Sequence, residues 1–156
     1  MKIALGADHG GYTLKEQIKK HLEGKGHEVV DLGAHSTESV DYPEFGRAVG
    51  EAVVEGKADR GVVVCGTGIG ISIAANKVKG VRAALCTNTT MARLTREHND
   101  ANVLAIGARM VGDVLALEMV DTFLTTEFEG GRHANRVAKI EGEEKKGGCS
   151  CGGNCH

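Results

Sequence analysis

The chain has 156 residues, 23 of them glycine and only one proline, with a formal net charge of −2. A near-neutral balance argues against nucleic-acid or membrane-surface binding, and with no Trp, two Tyr and three Phe there is no aromatic ladder for stacking bases. The length suits one domain with an aliphatic, alanine-rich core.

The chain enters a strand-like run at Ile3-Ala4-Leu5-Gly6, with no signal peptide ahead of it and no apolar stretch near the 18 or so residues of a membrane span. A soluble, cytoplasmic protein is expected. The loop Ala7-Asp8-His9-Gly10-Gly11 follows, then a helix from about Thr13 to Leu22 with Leu14, Ile18 and Leu22 on one face. Gly24 and Gly26 end it, and Glu28 to Gly33 reads as a second strand. Pro43 opens a helix running to about Val54, where its missing N–H costs little.

Val62-Val63-Val64 is a third, buried strand that ends on Cys65 and opens into Gly66-Thr67-Gly68-Ile69-Gly70, with a helix over Ile71 to Lys77 behind it. Arg82 to Cys86 reads as a fourth strand, Thr90 to Glu97 as a helix, and Asn102 to Gly107 as a fifth strand. A long amphipathic helix covers Val111 to Leu124, and a last one runs from near Arg132 to about Glu143. This alternation predicts a Rossmann-like, doubly wound α/β fold: five mostly parallel strands with helices on both faces. The domain is expected over residues 1–141. Residues 142–156 collapse to Gly, Lys, Glu and Cys, the composition of a disordered tail.

The glycine loop lies where open parallel sheets bind ligands, beyond a strand's carboxyl end. Its N–H groups can converge on an oxyanion, and a thiol beside such a nest serves as a general base or a nucleophile. It is GxGxG after the third strand, not GxGxxG after the first, and no acid ends the next strand, so dinucleotide binding is disfavoured. Asp8 and His9 follow the first strand and share the edge with Cys65; the plainer reading of Asp8 is a helix cap. His98, before the fifth strand, is an imidazole able to move protons near neutral pH, though a loop histidine is more often a bystander. Arg132 and Arg136 share one helix face, with His133 alongside, and suit a phosphate better than a merely solvated surface. Cys149, Cys151, Cys155 and His156 have spacings that can hold a soft metal, but no packed core surrounds them, and a reduced tail without function is favoured.

Gly6-Ala7-Asp8-His9-Gly10-Gly11, Asp41-Tyr42-Pro43, Cys65 to Gly70, His98-Asn99 and Gly131-Arg132-His133 together closely resemble the type B ribose-5-phosphate isomerases. That group sits in a sugar-phosphate isomerase family with the galactose-6-phosphate isomerases. The resemblance covers the chain to about Glu141 and implies cofactor-free, metal-free interconversion of ribose 5-phosphate and ribulose 5-phosphate in the non-oxidative pentose phosphate pathway. It implies that His98 opens the furanose ring and that Cys65 carries the proton between C2 and C1. Thr67 and the amides of Gly66, Gly68, Ile69 and Gly70 would hold the enediolate. It places Asp8 and Asn99 on sugar hydroxyls, and His9, Arg132 and Arg136 on the phosphate. Arg109 makes a further substrate contact, and Tyr42 lines the site. One branch of the family uses a glutamate about ten residues later as base; Ile73-Ala74-Ala75-Asn76 offers none, so this chain falls in the cysteine branch. There the loop amides and helix N-terminus are expected to favour thiolate. The family's assembly is a homodimer with sites shared between chains, and a pairing of dimers into tetramers stays open. The alternatives are a hexose 6-phosphate isomerase acting on allose or galactose 6-phosphate, a non-catalytic sugar-phosphate sensor, and a metal-handling protein led by its tail.

Overall fold

The computed structural model describes residues 1–142. The tail expected over 142–156, with its cysteines, lies outside the described residues except for Gly142. The elements run β1 (Lys2–Ala7), α1 (Tyr12–Gly24), β2 (Glu28–Asp31), α2 (Tyr42–Val54), β3 (Arg60–Cys65), α3 (Ile69–Asn76), β4 (Ala83–Leu85), α4 (Thr89–Asn99), β5 (Val103–Gly107), α5 (Asp113–Thr125) and α6 (Arg132–Ile140).

The sheet order is β2-β1-β3-β5-β4, and every pair is parallel, where a mostly parallel sheet was expected. The continuous apolar runs follow from burial on both faces. Ile3, Leu5, Val62, Val64, Leu104 and Ile106 point to a core with Leu14, Ile18, Phe123 and Met119, under α1, α4 and α5. Ala4, Val63, Cys65, Val103 and Ala105 point the other way, to Val49, Ile71 and Ala75 of α2 and α3.

β1 and β3 run longer than expected, while β2, β4 and β5 are trimmed, and side chains explain one end. Edge strand β4 keeps only three residues, and the Asn76 carboxamide takes the place of a further strand. It donates to the Ala83 carbonyl at 2.9 Å and accepts the Ala83 N–H at 2.8 Å, which blunts an edge otherwise open to pairing. The helix expected from Val111 begins at Asp113, because the N–H groups of Met110 and Val111 both turn back to the Gly107 carbonyl. The last helix stops at Ile140, three residues before its expected end.

Two features place the site. The chain leaves β1 toward β2 and returns to β3 on the other side, so the β1/β3 border is the topological switch point, where a crevice opens beyond the strand ends. In addition, α4 precedes β5 and runs antiparallel to it. Its last residues therefore lie at the sheet's amino edge, opposite that crevice.

Candidate active site

At the carboxyl edge, the loops after β1 and β3 are sewn together. The Asp8 N–H donates to the Val64 carbonyl at 3.3 Å, and the Asp8 carboxylate accepts the Gly11 N–H at 3.1 Å. Asp8 is therefore a loop-closing residue, while Gly11 holds the N-cap position of α1 without a side-chain cap. A Cβ at Gly11 would run into the Val64 carbonyl, so only glycine lets the two loops approach this closely. His9 is exposed, and its Nδ1 accepts the Val40 N–H at 3.2 Å. That leaves Nε2 as the ring nitrogen free to meet a ligand.

Cys65 ends β3 with its side chain 4% exposed, and its Sγ accepts the Gly68 N–H at 3.1 Å. The bond requires Gly68 to adopt a left-handed conformation, φ 78°. Thr67 is exposed, and its Oγ1 accepts the Ile69 N–H at 3.2 Å. Among the described residues, the N–H groups of Thr67 and Gly70 find no carbonyl partner, so they remain to bind an anion. The β5 loop closes over this loop: Ala108 and Arg109 donate their N–H groups to the carbonyls of Cys65 and Gly66 at 2.9 and 3.0 Å. The Arg109 side chain crosses Gly66, and the Tyr42 ring packs against Gly70.

The remaining expected residues are not there. His98 and Asn99 end α4, beyond the amino end of β5, whereas Cys65 pairs with Gly107 at its carboxyl end. Four strand steps, about 13 Å, separate the two edges. Arg132 and Arg136 stand on α6, exposed, beside His98. The chain thus carries the expected residues in two groups at opposite edges of its sheet. Asp8, His9, Tyr42, Cys65, Gly66, Thr67, Gly68, Ile69, Gly70 and Arg109 form one; His98, Asn99, Arg132 and Arg136 form the other. Tyr42 and Ile69 are exposed large apolar groups beside the crevice.

The second group rests on two guanidinium groups, Arg96 buried and Arg82 partly buried. Arg96, 2% exposed, donates to Asp100 Oδ1 at 2.8 Å, to the Ala101 carbonyl at 2.7 Å and to the Thr126 carbonyl at 3.2 Å. Arg82 donates to the Asn99 carbonyl at 3.0 Å and to that of Asp100 at 2.9 Å. These bonds hold the turn that presents His98. A hollow of about 560 Å³ lies next to it, lined by Val78, Arg82, Ala84, Asn99 and Ile140.

The ring nitrogens of His98 and His133 and a Glu129 carboxylate oxygen all lie within 4.8 Å of one another. That donor set suits zinc by type. The two imidazoles, however, are stacked face to face with centroids 4.4 Å apart and planes 14° apart. Their lone pairs point side by side within parallel planes, so one ion cannot lie in both planes unless the rings turn.

The pattern matches known proteins along nearly its whole length. Residues 3–140 match the model of the family described as Ribose/Galactose Isomerase. The chain belongs to the ribose/galactose isomerase family. It is 50% identical over 145 residues to ribose-5-phosphate isomerase B of Escherichia coli, covering 93% of this chain and 97% of that one. The solved ribose-5-phosphate isomerase B of Clostridium thermocellum superposes with a TM-score of 0.91 at 64% identity, covering 94% of this chain and 99% of that one. The Mycoplasma genitalium enzyme, solved with bound ribulose 5-phosphate, gives 0.87 at 45% identity over 93% and 97%.

For this family member, sequence reasoning passed over the roles of Arg82 and Arg96 and the burial of His133. The Arg82 side chain acts across gaps that no local pattern marks. The Arg96 to Asp100 and Glu129 to His133 spacings of four are the local signals. The other cysteine of the fold, Cys86, faces apolar side chains, and burial pushes its thiol up to about 11. Cys86 is therefore a packing residue.

Proposed function

We propose that the chain is a cofactor-independent aldose–ketose isomerase that interconverts ribose 5-phosphate and ribulose 5-phosphate through a cis-enediolate. The observation that carries this reading is the Cys65 sulfur seated inside the glycine loop, 3.1 Å from the Gly68 N–H and at the switch point beside Asp8. A base and a set of amide donors face the same small space, which suits proton transfer next to a carbonyl.

In the proposed sequence, His98 takes the proton of the O1 hydroxyl and passes it to the ring oxygen as the C1–O4 bond breaks, leaving the open-chain aldose. Cys65 as thiolate removes the C2 proton and returns it to C1, while a proton passes from O2 to O1. Thr67 and the amides of the loop hold the enediolate, each donor typically worth about a hundredfold in rate. Asp8 and Asn99 meet sugar hydroxyls, Tyr42 lines the site, Arg109 makes a further substrate contact, and His9, Arg132 and Arg136 meet the phosphate. No electron leaves the sugar, so the reaction balances without a redox partner.

The two groups, as half-sites, give this reading its assembly. A homodimer with a twofold axis can bring the partner's His98 and arginines over the Cys65 crevice, and exposed Tyr42 and Ile69 at its rim suit burial there. The two cysteines of the fold are unpaired, which supports a reducing, cytoplasmic setting, and no helix among the described residues is long and apolar enough to cross a membrane.

The test is a coupled isomerase assay with ribose 5-phosphate, with and without EDTA, set against allose 6-phosphate. Conversion of the pentose, insensitive to chelator and faster in kcat/KM than the hexose, is expected. A higher kcat/KM for the hexose would move the substrate to a longer sugar, and binding without conversion would make the protein a sensor.

A further inference from the structure

Arg132 and Arg136 lie exposed on α6, while His133 is the helix's one buried residue, 5% exposed. Its ring lies flat against His98 at 4.4 Å. Behind it, the Glu129 carboxylate stands 3.3 Å from His133 Nε2. The main-chain N–H of Glu129 donates at 3.1 Å to the carbonyl of Glu97, the residue before His98. The segment ahead of α6 is therefore docked on the same turn that presents His98, and His133 covers one face of its imidazole.

A half-buried histidine at a helix end can turn about its ring torsion unless something bounds it. Arg82 and Arg96 hold only the backbone of this turn, through the carbonyls of Asn99, Asp100 and Ala101 and the Asp100 carboxylate. The ring plane of His98 is bounded by His133, and the nearby carboxylate bounds His133 in turn. We propose that His133, held by Glu129, is a positioning residue that fixes the His98 imidazole in the plane needed to open the sugar ring. The inference rests on the isomerase reading above and gives the His133–Glu129 pair a role distinct from phosphate binding.

The two directions of the reaction separate this role from a structural one. Ribose 5-phosphate enters as a closed furanose and needs ring opening. Ribulose 5-phosphate cannot close that ring, because its O5 carries the phosphate, and the aldose it yields can leave open and cyclise in water. Both sugars carry the same phosphate, so a displaced α6 with misplaced arginines would raise KM for both equally.

The experiment measures the single-turnover rate from each sugar, with enzyme in excess so that ring opening in water cannot keep pace, for wild type, His98→Asn, His133→Ala, His133→Phe and Glu129→Gln. His133→Ala is expected to lower the single-turnover rate for ribose 5-phosphate about tenfold or more, with that for ribulose 5-phosphate changed less than about twofold. His133→Phe keeps a flat ring on His98 and should recover most of the loss. An equal loss from both sugars, or no loss, overturns the proposal. If His133→Ala fails to fold, Glu129→Gln decides, since that side chain is half exposed: a loss of a few-fold confined to ribose 5-phosphate supports the role, and any other result overturns it. A wild type that converts neither sugar refutes the isomerase reading, and a His98→Asn variant without the selective loss refutes ring opening by His98. Both are distinct from a failure at His133.

Discussion

The main-chain N–H of Gly68 points at Sγ of Cys65 from 3.1 Å, and Gly68 can do this only with φ at 78°. A Cβ added there would lie 2.6 Å from Leu85 Cδ1, 2.8 Å from the Ile106 carbonyl carbon and 2.9 Å from the Gly107 nitrogen. Two of those three atoms are backbone and cannot step aside. Gly68→Ala should therefore cost about 1–3 kcal/mol of stability and displace the loop from the sulfur. The expected readouts are a lower denaturation midpoint and at least a tenfold fall in kcat. Gly26→Ala is the control: φ is 85° there as well, but nothing lies within 4 Å, so it should lose stability and keep activity.

Arg132 and Arg136 are both exposed, so shortening either leaves the core intact. A charge-assisted hydrogen bond to phosphate is worth about 1.5–3 kcal/mol, which converts to a KM roughly ten- to a hundredfold higher in Arg136→Ala. kcat should change much less, because the phosphate contact exists before and during the reaction. Inorganic phosphate as a competitive inhibitor should weaken in parallel. An unchanged KM in both arginine variants would remove the phosphate assignment.

How much of this was legible from sequence depended on the range of the interactions. The β-branched run ending at Cys65 and the glycines behind it are local signals, and the strand, loop and helix stand where those signals put them. The division of the site is not local. His98 and Cys65 are separated because α4 runs back across the sheet before β5 begins, a consequence of connectivity that no spacing between the two residues encodes. The pairing of Lys15 with Asp31 escaped for a related reason. Lys15 sits on the apolar face of α1 between Leu14 and Ile18, and only the fold reveals the carboxylate 2.7 Å away. The sequence groups His133 with its arginine neighbours at a phosphate site; its burial against His98 depends on how α6 docks on α4.

Lys15 and Asp31 also set an acid limit on stability. Lys15 is fully buried, donating to Asp31 Oδ1 at 2.7 Å and to the Ala34 carbonyl at 2.6 Å. Burial pushes the Asp31 carboxyl up, but hydrogen bonds from Lys15, the Gly33 N–H and Lys19 outweigh it and hold the group below its ordinary 3.8. The folded value lies below the unfolded one. The pair's contribution is therefore complete above the unfolded value and is lost as pH falls through the folded one. Urea unfolding measured from pH 7 down to pH 2 should show wild-type stability falling below about pH 4. Asp121, held low by Lys25 and His21 against its own burial, contributes with the same sign. Asp31→Asn should be less stable at pH 7 by about 1–3 kcal/mol, having left the buried Lys15 ammonium with only the Glu16 carboxylate at 3.1 Å, and should fall less steeply in acid.

The opposite placement of Cys65 and His98 makes the shared site directly testable. If each site takes Cys65 from one chain and His98 from the other, Cys65→Ala and His98→Asn are each inactive alone for ribose 5-phosphate. In a mixed dimer, the His98→Asn chain supplies an intact Cys65 and the Cys65→Ala chain an intact His98, so one of the two sites is whole. Random reassembly makes half the dimers mixed, each with half its sites restored, so roughly a quarter of wild-type activity should return. The measurement is kcat for ribose 5-phosphate after the two variants are unfolded together and refolded, against each refolded alone. Were both residues drawn from the same chain, every mixed dimer would hold two broken sites and no activity would return. A quarter recovered therefore supports a dimer with exchanged half-sites, and none recovered supports self-contained protomers.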